Sequence, residues 1–430
     1  MSEKKEATDA QLEAEQVAIE RLTHGQPVPP DIAARVKNLV FRSLLDPLEA
    51  LDFTELTHFP SLQSLHIPFN FGASPIALKN LLLIRRHKSL ESLDLRDSDI
   101  KQTHDLRDLP SLKTLILENT QITDLTGLAA LANLQMLDLE NTRVENIDAL
   151  CDLLNLEILN LTSTLIENIS ALRELKKLEI LALNNTRVSD LKPLAQLSNL
   201  RTLNLINVPV TDLGPLEMLS NLEVLILKDT QISDLSALRP LSKLHSLNLD
   251  DTKTVDLSSL EKLSSLQNLY LENLHIRDLT PLATLSALEC LDLDNTFVSN
   301  LKPLSALSKL EKLYLSGTRV LDINPLADLQ DLQTLNLEGT YVSDIRALEN
   351  LSHLQMLDLE GTQVVDLKPL ENLSKLETLI LCDTQVKDIK PLAKLSNLEM
   401  IDLGNTRVED WSPVAHVDVV FGRPDDWKPV

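Results

Sequence analysis

A single pattern of apolar and polar positions repeats along the chain from Leu90 onward, with a period of 22 residues. The unit is LxxLxLxxTxVxDLxPLxxLxx, and fifteen units follow one another without insertion. Threonine marks the register in twelve units, and Ser98, Val208 and Leu274 hold the same position in the other three. A fixed period of roughly 20–50 residues indicates units that pack only on their neighbours. We therefore predict one solenoid rather than several globular domains.

Each half of the unit predicts a different element. In the segment Leu112-x-x-Leu115-x-Leu117, the alternation at the last two leucines is the period of a strand with one buried face. The later Asp-Leu-x-Pro-Leu segment is typical of a helix start, since Asp accepts from free N–H groups and Pro fits the first turn. About eight residues remain before the next strand, enough for a 3₁₀ turn. The expected fold is an α/β repeat solenoid, with a parallel sheet inside and 3₁₀ or turn segments outside.

This unit resembles the leucine-rich repeats of bacterial internalins and of the phosphatase-regulating eukaryotic type. Those families usually carry Asn where this chain carries Thr, and their Asn bonds backbone groups of adjoining loops. Because Thr offers one hydroxyl, we expect a row of hydroxyl-to-backbone bonds instead. The resemblance covers about three quarters of the chain. It implies a curved arc, with the sheet on the concave face and the 3₁₀ turns on the convex face, and it implies protein recognition.

The ends of a solenoid need caps. We predict an N-terminal helical cap over residues 1–61, with a helix over 8–23 that stops near Gly25, a short helix over 31–36 and an early strand over 39–41. An irregular first repeat over 62–89 carries the family's Asn at Asn70. Its extra residues predict a true helix from Ser74 to about His87.

The regular repeats are expected over 90–411, and a C-terminal cap over 412–430 closes the array. Trp411 replaces a core leucine in the last unit. The segment from Val417 to Phe421 predicts a closing strand, and the tail after it is expected to cover the last layer of the core.

Composition narrows the function. The formal charge of −24 disfavours nucleic acid and fits a partner with a basic surface. The first residues have no apolar run typical of a signal peptide, and no segment approaches the roughly 20 apolar residues that span a bilayer. The three cysteines are far apart, which favours a reducing compartment. We expect a cytoplasmic monomer without membrane contact, with non-classical export as the open alternative.

No catalytic or metal-binding pattern stands out. The nine histidines are scattered, and the pairs Cys151-Asp152 and Cys382-Asp383 fall on a turn and on a repeated surface position. We therefore expect no enzyme activity, no cofactor and no metal. The Asp or Asn four residues after each Thr position, from Asp124 to Asp410, is interpreted as a cap rather than a cation-binding stripe, because Asn shares the capping chemistry but not the charge.

The sheet face carries the candidate site. Nine of the fifteen residues between the two strand leucines are Asp or Asn, which strands normally avoid. Tyrosines occur at two others, and apolar residues separate two acidic zones. The candidate partner-binding residues are Asp138, Glu140, Ile158, Ile180, Ile206, Ile226, Asp250, Tyr270, Glu272, Asp292, Asp294, Tyr314, Asn336, Asp358 and Glu360.

The leading hypothesis is a non-enzymatic module that binds a protein on its concave face, with tyrosines as anchors and acids that attract a basic partner. A structural alternative is that the Asp and Asn rows bond sideways between strands, and that the isoleucines reflect strand propensity. Two further functions stay open on the resemblance alone. They are a secreted effector that interacts with a host, and a regulatory subunit of an enzyme such as a phosphatase.

Overall fold

The fold was analysed in a computed structural model, which describes residues 2–41, 50–67 and 75–423, with side chains from Asp9 onward. The chain forms two compact units, residues 1–210 and 211–430. We refer to them as unit 1 and unit 2 and describe each by itself.

Unit 1 begins with helical segments. These are α1 (Ser2–Thr23), α2 (Pro30–Ala33) and α3 (Phe53–Leu56). The first helix ends where expected: Gly25 has φ +64°, its N–H donates to the Leu22 carbonyl at 3.1 Å, and the Gln26 N–H donates to the Arg21 carbonyl at 2.8 Å. This pair of bonds is the Schellman arrangement, which favours glycine because the residue is left-handed. The helix extends further towards the N-terminus than predicted.

The main sheet of unit 1 is parallel. Its strands pair in the order β1-β3-β5-β6-β7-β8-β9-β10, and β2 pairs with β4 in a separate two-stranded sheet. The strands are β1 Asn38–Val40, β2 Ala50–Asp52, β3 Ser64–His66, β4 Ala77–Lys79, β5 Ser92–Asp94, β6 Thr114–Ile116, β7 Met136–Asp138, β8 Ile158–Asn160, β9 Ile180–Ala182 and β10 Thr202–Asn204. The early strand expected near Leu39 is therefore confirmed as β1.

The irregular first repeat differs from its prediction. An α-helix was expected from Ser74 to His87, but the structure has strand β4 followed by a six-residue 3₁₀ helix, Leu81–Arg86. That prediction was wrong because residues 77–79, in the first turns of the expected helix, form strand β4 and pair with β2. Asn80 also breaks any continuous helix, since its φ is +58°. Asn70 and Ser74 lie outside the described residues.

Short 3₁₀ helices face away from the sheet in unit 1. Besides Leu81–Arg86, they are His104–Leu106, Thr126–Ala130, Asp148–Leu150, Ser170–Glu174 and Lys192–Leu194. Consecutive turns contact one another on the far side of the leucine core. The prediction of 3₁₀ turns in the second half of each repeat is confirmed.

Unit 2 repeats this arrangement with ten parallel strands paired in chain order, each residue opposite the equivalent residue of the next repeat. The strands are β11 Val224–Ile226, β12 Ser246–Asn248, β13 Asn268–Tyr270, β14 Cys290–Asp292, β15 Lys312–Tyr314, β16 Thr334–Asn336, β17 Met356–Asp358, β18 Thr378–Ile380, β19 Met400–Asp402 and β20 Val419–Phe421. The last of these is the predicted closing strand.

The 3₁₀ helices of unit 2 again lie opposite the sheet. They are Gly214–Leu216, Ser236–Leu238, Ser258–Leu260, Thr280–Thr284, Lys302–Leu304, Asn324–Leu326, Arg346–Leu348, Lys368–Leu370, Lys390–Lys394 and Ser412–Val414. Trp411 is buried at the predicted core position. Most of the tail after β20 lies outside the described residues, so its covering role and the boundaries of the predicted caps stay predictions.

The threonine row is part of the core. All twelve repeat threonines donate from Oγ1 to the carbonyl of the leucine three residues earlier, at 2.6–2.8 Å. Ser98 makes the same bond at 2.6 Å. The expected hydroxyl-to-backbone row is thus confirmed. Each bond closes within its own repeat and contributes about 1 kcal/mol, since the hydroxyl and carbonyl would otherwise bond water.

The capping interpretation of the Asp and Asn row is also confirmed. All fourteen residues accept from the backbone N–H two positions later, at 2.6–3.0 Å. This side-chain bond satisfies one of the N–H groups that a short helix leaves free at its start. The eleven aspartates of this row therefore have a structural role.

Candidate functional site

The residue between the strand leucines, which we name the middle position, has a structural role that the sequence analysis missed. All nine Asp and Asn side chains at this position accept from the backbone N–H two residues later in the same repeat, at 2.8–3.4 Å. The three-residue strand has ended there, so the N–H needs another acceptor. This bond lies within one repeat, so it differs from the sideways bonding between strands that was the structural alternative; Asn160 makes such a sideways bond in addition, donating to Glu140 at 2.9 Å.

The two tyrosines at the middle position are exceptions with a compensating arrangement. Where Tyr270 replaces the usual acceptor, the Glu272 N–H donates instead to Asp250 of the preceding repeat at 2.8 Å. Where Tyr314 does so, the Ser316 N–H donates to Asp294 at 2.6 Å. Both N–H groups stay satisfied, so the sheet displays an aromatic ring without leaving a donor unpaired. The structural role has moved to a neighbouring carboxylate.

These tyrosines lie in register on either side of an acid. Tyr270 is opposite Asp292 between β13 and β14, and Asp292 is opposite Tyr314 between β14 and β15. Neighbouring parallel strands are about 4.8 Å apart, so the three side chains occupy one short stretch of the sheet face. All three are half-buried. The pKa of each phenol is raised, first by burial and then by Cys290, so both tyrosines are neutral.

The surroundings of this stretch are strongly acidic. Burial raises the pKa of Asp294 to about 7, and repulsion from Asp292, Glu272 and Glu338 adds to this effect. Burial also raises the pKa of Asp292. A nearby cation, Lys228, lies 3.7 Å from Asp250 and 3.7 Å from Glu272, and these carboxylates raise its pKa against the opposing effect of burial. The carboxylates therefore outnumber the cations around the tyrosines, and this part of the surface is negatively charged.

The candidate residues of unit 1 form a different surface. Ile158, Ile180 and Ile206 are half-exposed, and Ile180 has 38% of its surface accessible. Asp138 and Glu140 lie on the neighbouring repeat, and burial raises the pKa of Asp138. This surface is mainly apolar with a small acidic margin.

Arg96 and its neighbours flank that margin of unit 1. The Arg96 Nε lies 2.9 Å from Asp94, and its Nη1 lies 3.3 Å from Glu118. Burial opposes ionisation of Asp94, but hydrogen bonds from His66 and Arg96 outweigh it and lower the pKa of this carboxyl. Arg96 therefore offsets part of the negative charge here, but burial and repulsion from Asp138 still raise the pKa of Glu118.

The remaining predicted residues belong to unit 2. Ile226, Asn336 and Glu360 are half-buried and face outward from their strands. Asp250 and Asp358 are buried, with 5% and 7% of their surface accessible, so they act on a partner through their charge rather than through contact area. Both accept backbone N–H bonds, from Glu272 at 2.8 Å and from Glu360 at 2.9 Å.

Two of the three cysteines, Cys290 and Cys382, are poorly suited to nucleophilic chemistry. All three are free thiols. Burial, together with Glu360 and Asp402, raises the pKa of Cys382 to about 12, and burial raises the pKa of Cys290. Since the thiolate is the reactive form, neither thiol is activated at neutral pH.

Other sites of chemistry were sought in the described part of the chain. An open trough of about 890 Å³ lies on the 3₁₀ side of unit 2, but the Asp212 and Asp234 carboxylates that line it already cap turns, and Arg239 Nε donates to Ser259 at 3.3 Å. Within residues 2–41, 50–67 and 75–423, no three His, Cys, Asp or Glu side chains are placed to hold a metal ion. No helix among these residues could cross a membrane.

One column of residues escaped the sequence analysis altogether. The position before each repeat Thr has a positive φ, about 54–66°, in every unit from Asp97 to Asn405. It is occupied by Asn, Asp, Ser or Gly, and Asn, Asp and Gly are the types that tolerate this conformation best. Side chains in this column bond between repeats, for example Asn141 to Asn119 at 2.7 Å. The recurrence of these residue types before each repeat Thr is the sequence signal from which the positive φ could have been predicted.

The fold and the site can now be compared with known proteins. A family model described as leucine-rich repeats in two copies matches residues 308–350 and 374–416. An internalin of Listeria monocytogenes, InlF, shares 32% identity with a TM-score of 0.65, and the match covers 71% of this chain and 90% of that one. This chain belongs to the internalin-type leucine-rich-repeat proteins.

More distant structures share the leucine-rich-repeat fold alone. A leucine-rich-repeat protein of Leptospira interrogans is 21% identical with a TM-score of 0.75, covering 91% of this chain and 97% of that chain. The plant peptide hormone receptor RGFR1, solved with RGF2, is 19% identical with a TM-score of 0.67, covering 87% and 64%. No curated protein sequence matches the chain.

Proposed function

We propose that this leucine-rich-repeat protein is a non-enzymatic module that binds a partner protein on its sheet face. The central contact lies in unit 2, where Tyr270 and Tyr314 flank Asp292 in register. The observation that carries the proposal is the transfer of the N–H bonds to Asp250 and Asp294, which frees both middle positions for tyrosine. Nothing in the repeat's own packing requires an aromatic ring there.

The chemistry of this stretch favours a partner with exposed arginine or lysine. Tyrosine contributes large contact area with little loss of side-chain entropy, and it is enriched among residues that dominate binding energy. The carboxylates of Glu272, Asp292 and Asp294 attract a cation, and ring faces stabilise it further. A plant peptide hormone receptor of the same fold was solved in complex with RGF2, which supports a peptide or protein as the class of partner.

The test compares the proteins captured from the native cell by the wild type and by the Tyr270→Ala/Tyr314→Ala variant, followed by titration of the main captured partner. We expect the double variant to bind this partner about thirtyfold more weakly, since two tyrosine anchors together contribute about 2 kcal/mol. The matched control is Met218→Ala, which removes a side chain that is 75% exposed from the 3₁₀ side of unit 2, outside the sheet face. Equal affinity of all three proteins would reject the proposal.

We further propose a cytoplasmic, monomeric protein without nucleic-acid partners. Its three free cysteines fit a reducing compartment, and its charge of −24 opposes contact with phosphate backbones. The similarity to an internalin favours a second candidate function, an exported protein that acts on a host. Fractionation of the native cell separates the two, because export places the protein in the culture medium.

A further inference from the structure

A second outward surface runs along one edge of unit 2. The residues one and three positions after the Thr position point outward, because the residue between them, a Val or Ile in most repeats and Thr254 in one, is buried in the core. We name these two columns, taken from Val255 to Val365, the loop edge. Its residues make none of the capping or core bonds described above, so their identities are free to vary.

Phe297 lies at the centre of a stacked cluster on the loop edge. The Arg319 guanidinium carbon lies 4.7 Å from the centroid of its ring, and that of Arg277 lies 5.7 Å away. The His275 ring packs edge-on at 5.1 Å and 79°. Stacking on an aromatic ring holds a guanidinium group while leaving the N–H donors at its rim free to bind an acceptor.

Neither of these arginines has an acidic partner among the residues that the structure describes. No carboxylate of a described residue lies within 4.0 Å of the side-chain nitrogens of Arg277 or Arg319. Elsewhere in the chain, Arg346 pairs with Asp344, and Arg187 lies 4.0 Å from Glu167. The two guanidinium groups therefore lie side by side on one ring without a neutralising carboxylate from a described residue, although the chain as a whole has a charge of −24.

Exposed apolar side chains surround the two arginines. Val255, Leu321, Tyr341 and Val365 are each more than half exposed. They are four of the five large apolar side chains exposed between residues 211 and 418, all of which the structure describes. Exposed apolar groups gathered on one surface, with charges between them, are typical of a contact site.

The equivalent positions of unit 1 provide a direct comparison. There the third position carries Glu145 and Glu167, and the first carries Arg143 and Arg187. That edge is mixed in sign, with uncharged residues between the charged ones, and its Arg187 lies 4.0 Å from Glu167. The repeat architecture is the same in both units, so folding requirements do not explain the cationic and apolar character of the loop edge.

We propose that the loop edge of unit 2 binds an acidic segment of a partner protein, in which carboxylates alternate with apolar side chains. Carboxylates would receive paired N–H bonds from Arg277 and Arg319, a geometry in which arginine is particularly effective. Apolar side chains of the segment would cover Leu321, Tyr341 and Val365. Charge complementarity selects this partner, since the sheet face of the same unit, which is acidic, repels it.

The test is selection of random twelve-residue peptides displayed on phage against the immobilised full-length protein. We expect two groups of selected peptides. Acidic peptides with apolar residues are expected to bind the Arg277→Gln/Arg319→Gln variant at least tenfold more weakly than the wild type, and added salt should weaken them. The matched control is Arg187→Gln, which changes an equivalent edge arginine of unit 1 and should leave their affinity unchanged.

The second group separates this proposal from the proposed function. Basic peptides are expected to depend on Tyr270 and Tyr314 and to ignore the arginine substitutions, so either surface can fail without the other. The loop-edge proposal is overturned if the selected peptides show no acidic group, or if acidic peptides bind the double variant as tightly as the wild type. Circular dichroism of each variant confirms that the fold is retained.

Discussion

Units 1 and 2 are built from the same repeat but present different surfaces. Thr142 in unit 1 and Thr296 in unit 2 make the same bond to a leucine carbonyl, and Asp124 and Asp278 cap their turns alike. The two units differ at the outward positions that neither fill the core nor bond the backbone. The sheet face of unit 1 is mainly apolar with an acidic margin around Arg96, whereas that of unit 2 combines tyrosines with crowded acids.

This difference shows where specificity can reside in a repeat protein. Positions that satisfy a backbone group or fill the core are restricted in every repeat, so they carry little information about a partner. Positions without such a role can change from repeat to repeat at little cost in stability. The comparison can be tested by making a substitution in one unit together with a similar substitution in the other unit, where a smaller effect is expected.

The largest effect is expected from Gly127→Ala in unit 1. A Cβ added at Gly127 would lie 2.2 Å from the Thr103 carbonyl oxygen, so the backbone of two repeats would have to separate. We expect the free energy of unfolding in urea to fall by about 3 kcal/mol. The control is Gly214→Ala in unit 2, where the closest atom is a side-chain oxygen of Asp212 at 3.0 Å. Similar losses in both variants would contradict this explanation.

The next effect concerns Asp294→Asn in unit 2. The folded state keeps a proton on Asp294 up to about pH 7, whereas the unfolded state loses it near the ordinary pKa of 3.8. The free energy of unfolding therefore falls as pH rises through this window, and the Asn variant avoids the loss. Calorimetry should show a Tm higher by about 2–4 °C at pH 8, with no gain at pH 4.

A matched substitution in unit 1 serves as the control for this pH effect. Burial raises the pKa of Asp138 as well, but hydrogen bonds from Glu140 and Asn160 oppose the rise there. Asp138→Asn should therefore give a smaller gain at pH 8. A Tm gain at Asp294 that is independent of pH would show that repulsion among ionised carboxylates is not the cause.

The smallest effect is expected in the threonine row. Thr296→Val removes the bond of 2.7 Å to the Leu293 carbonyl and should lower the free energy of unfolding by about 1 kcal/mol. Val208→Thr in unit 1 introduces the hydroxyl at an equivalent position and should change it by less than about 0.5 kcal/mol in either direction. Denaturant titration measures the free energy of unfolding of both variants. A loss of stability larger than this in Val208→Thr would contradict the equivalence of the two positions.

Much of the fold follows from the sequence because the period of 22 residues multiplies every signal. The strands, the 3₁₀ turns, the threonine bonds and the Asp caps were each predicted from a residue type that recurs at one position. The failure over residues 74–87 has the opposite cause. That segment occurs once, so propensity alone decided in favour of a helix, and the pairing of β4 with β2 could not be anticipated.

The candidate site was less accessible to sequence reasoning. The Asp and Asn residues of the middle position were interpreted as part of a binding surface, but each one completes a backbone bond at the end of its strand. The transfer of that role from Tyr270 to Asp250 involves residues twenty positions apart in the sequence. It depends on how neighbouring repeats stack, and only the three-dimensional structure contains this information.

The first helix has a consequence for association between copies. Glu15 is buried in α1, and it accepts from the backbone N–H of Asn38 at 2.9 Å and from the side-chain amide of the same residue at 3.1 Å. One donor on the outer edge of strand β1 is therefore already occupied, at the position where an added strand would have to bond. Extension of the sheet from this end would have to displace the Glu15 carboxylate, so the first helix makes the addition of another strand less favourable.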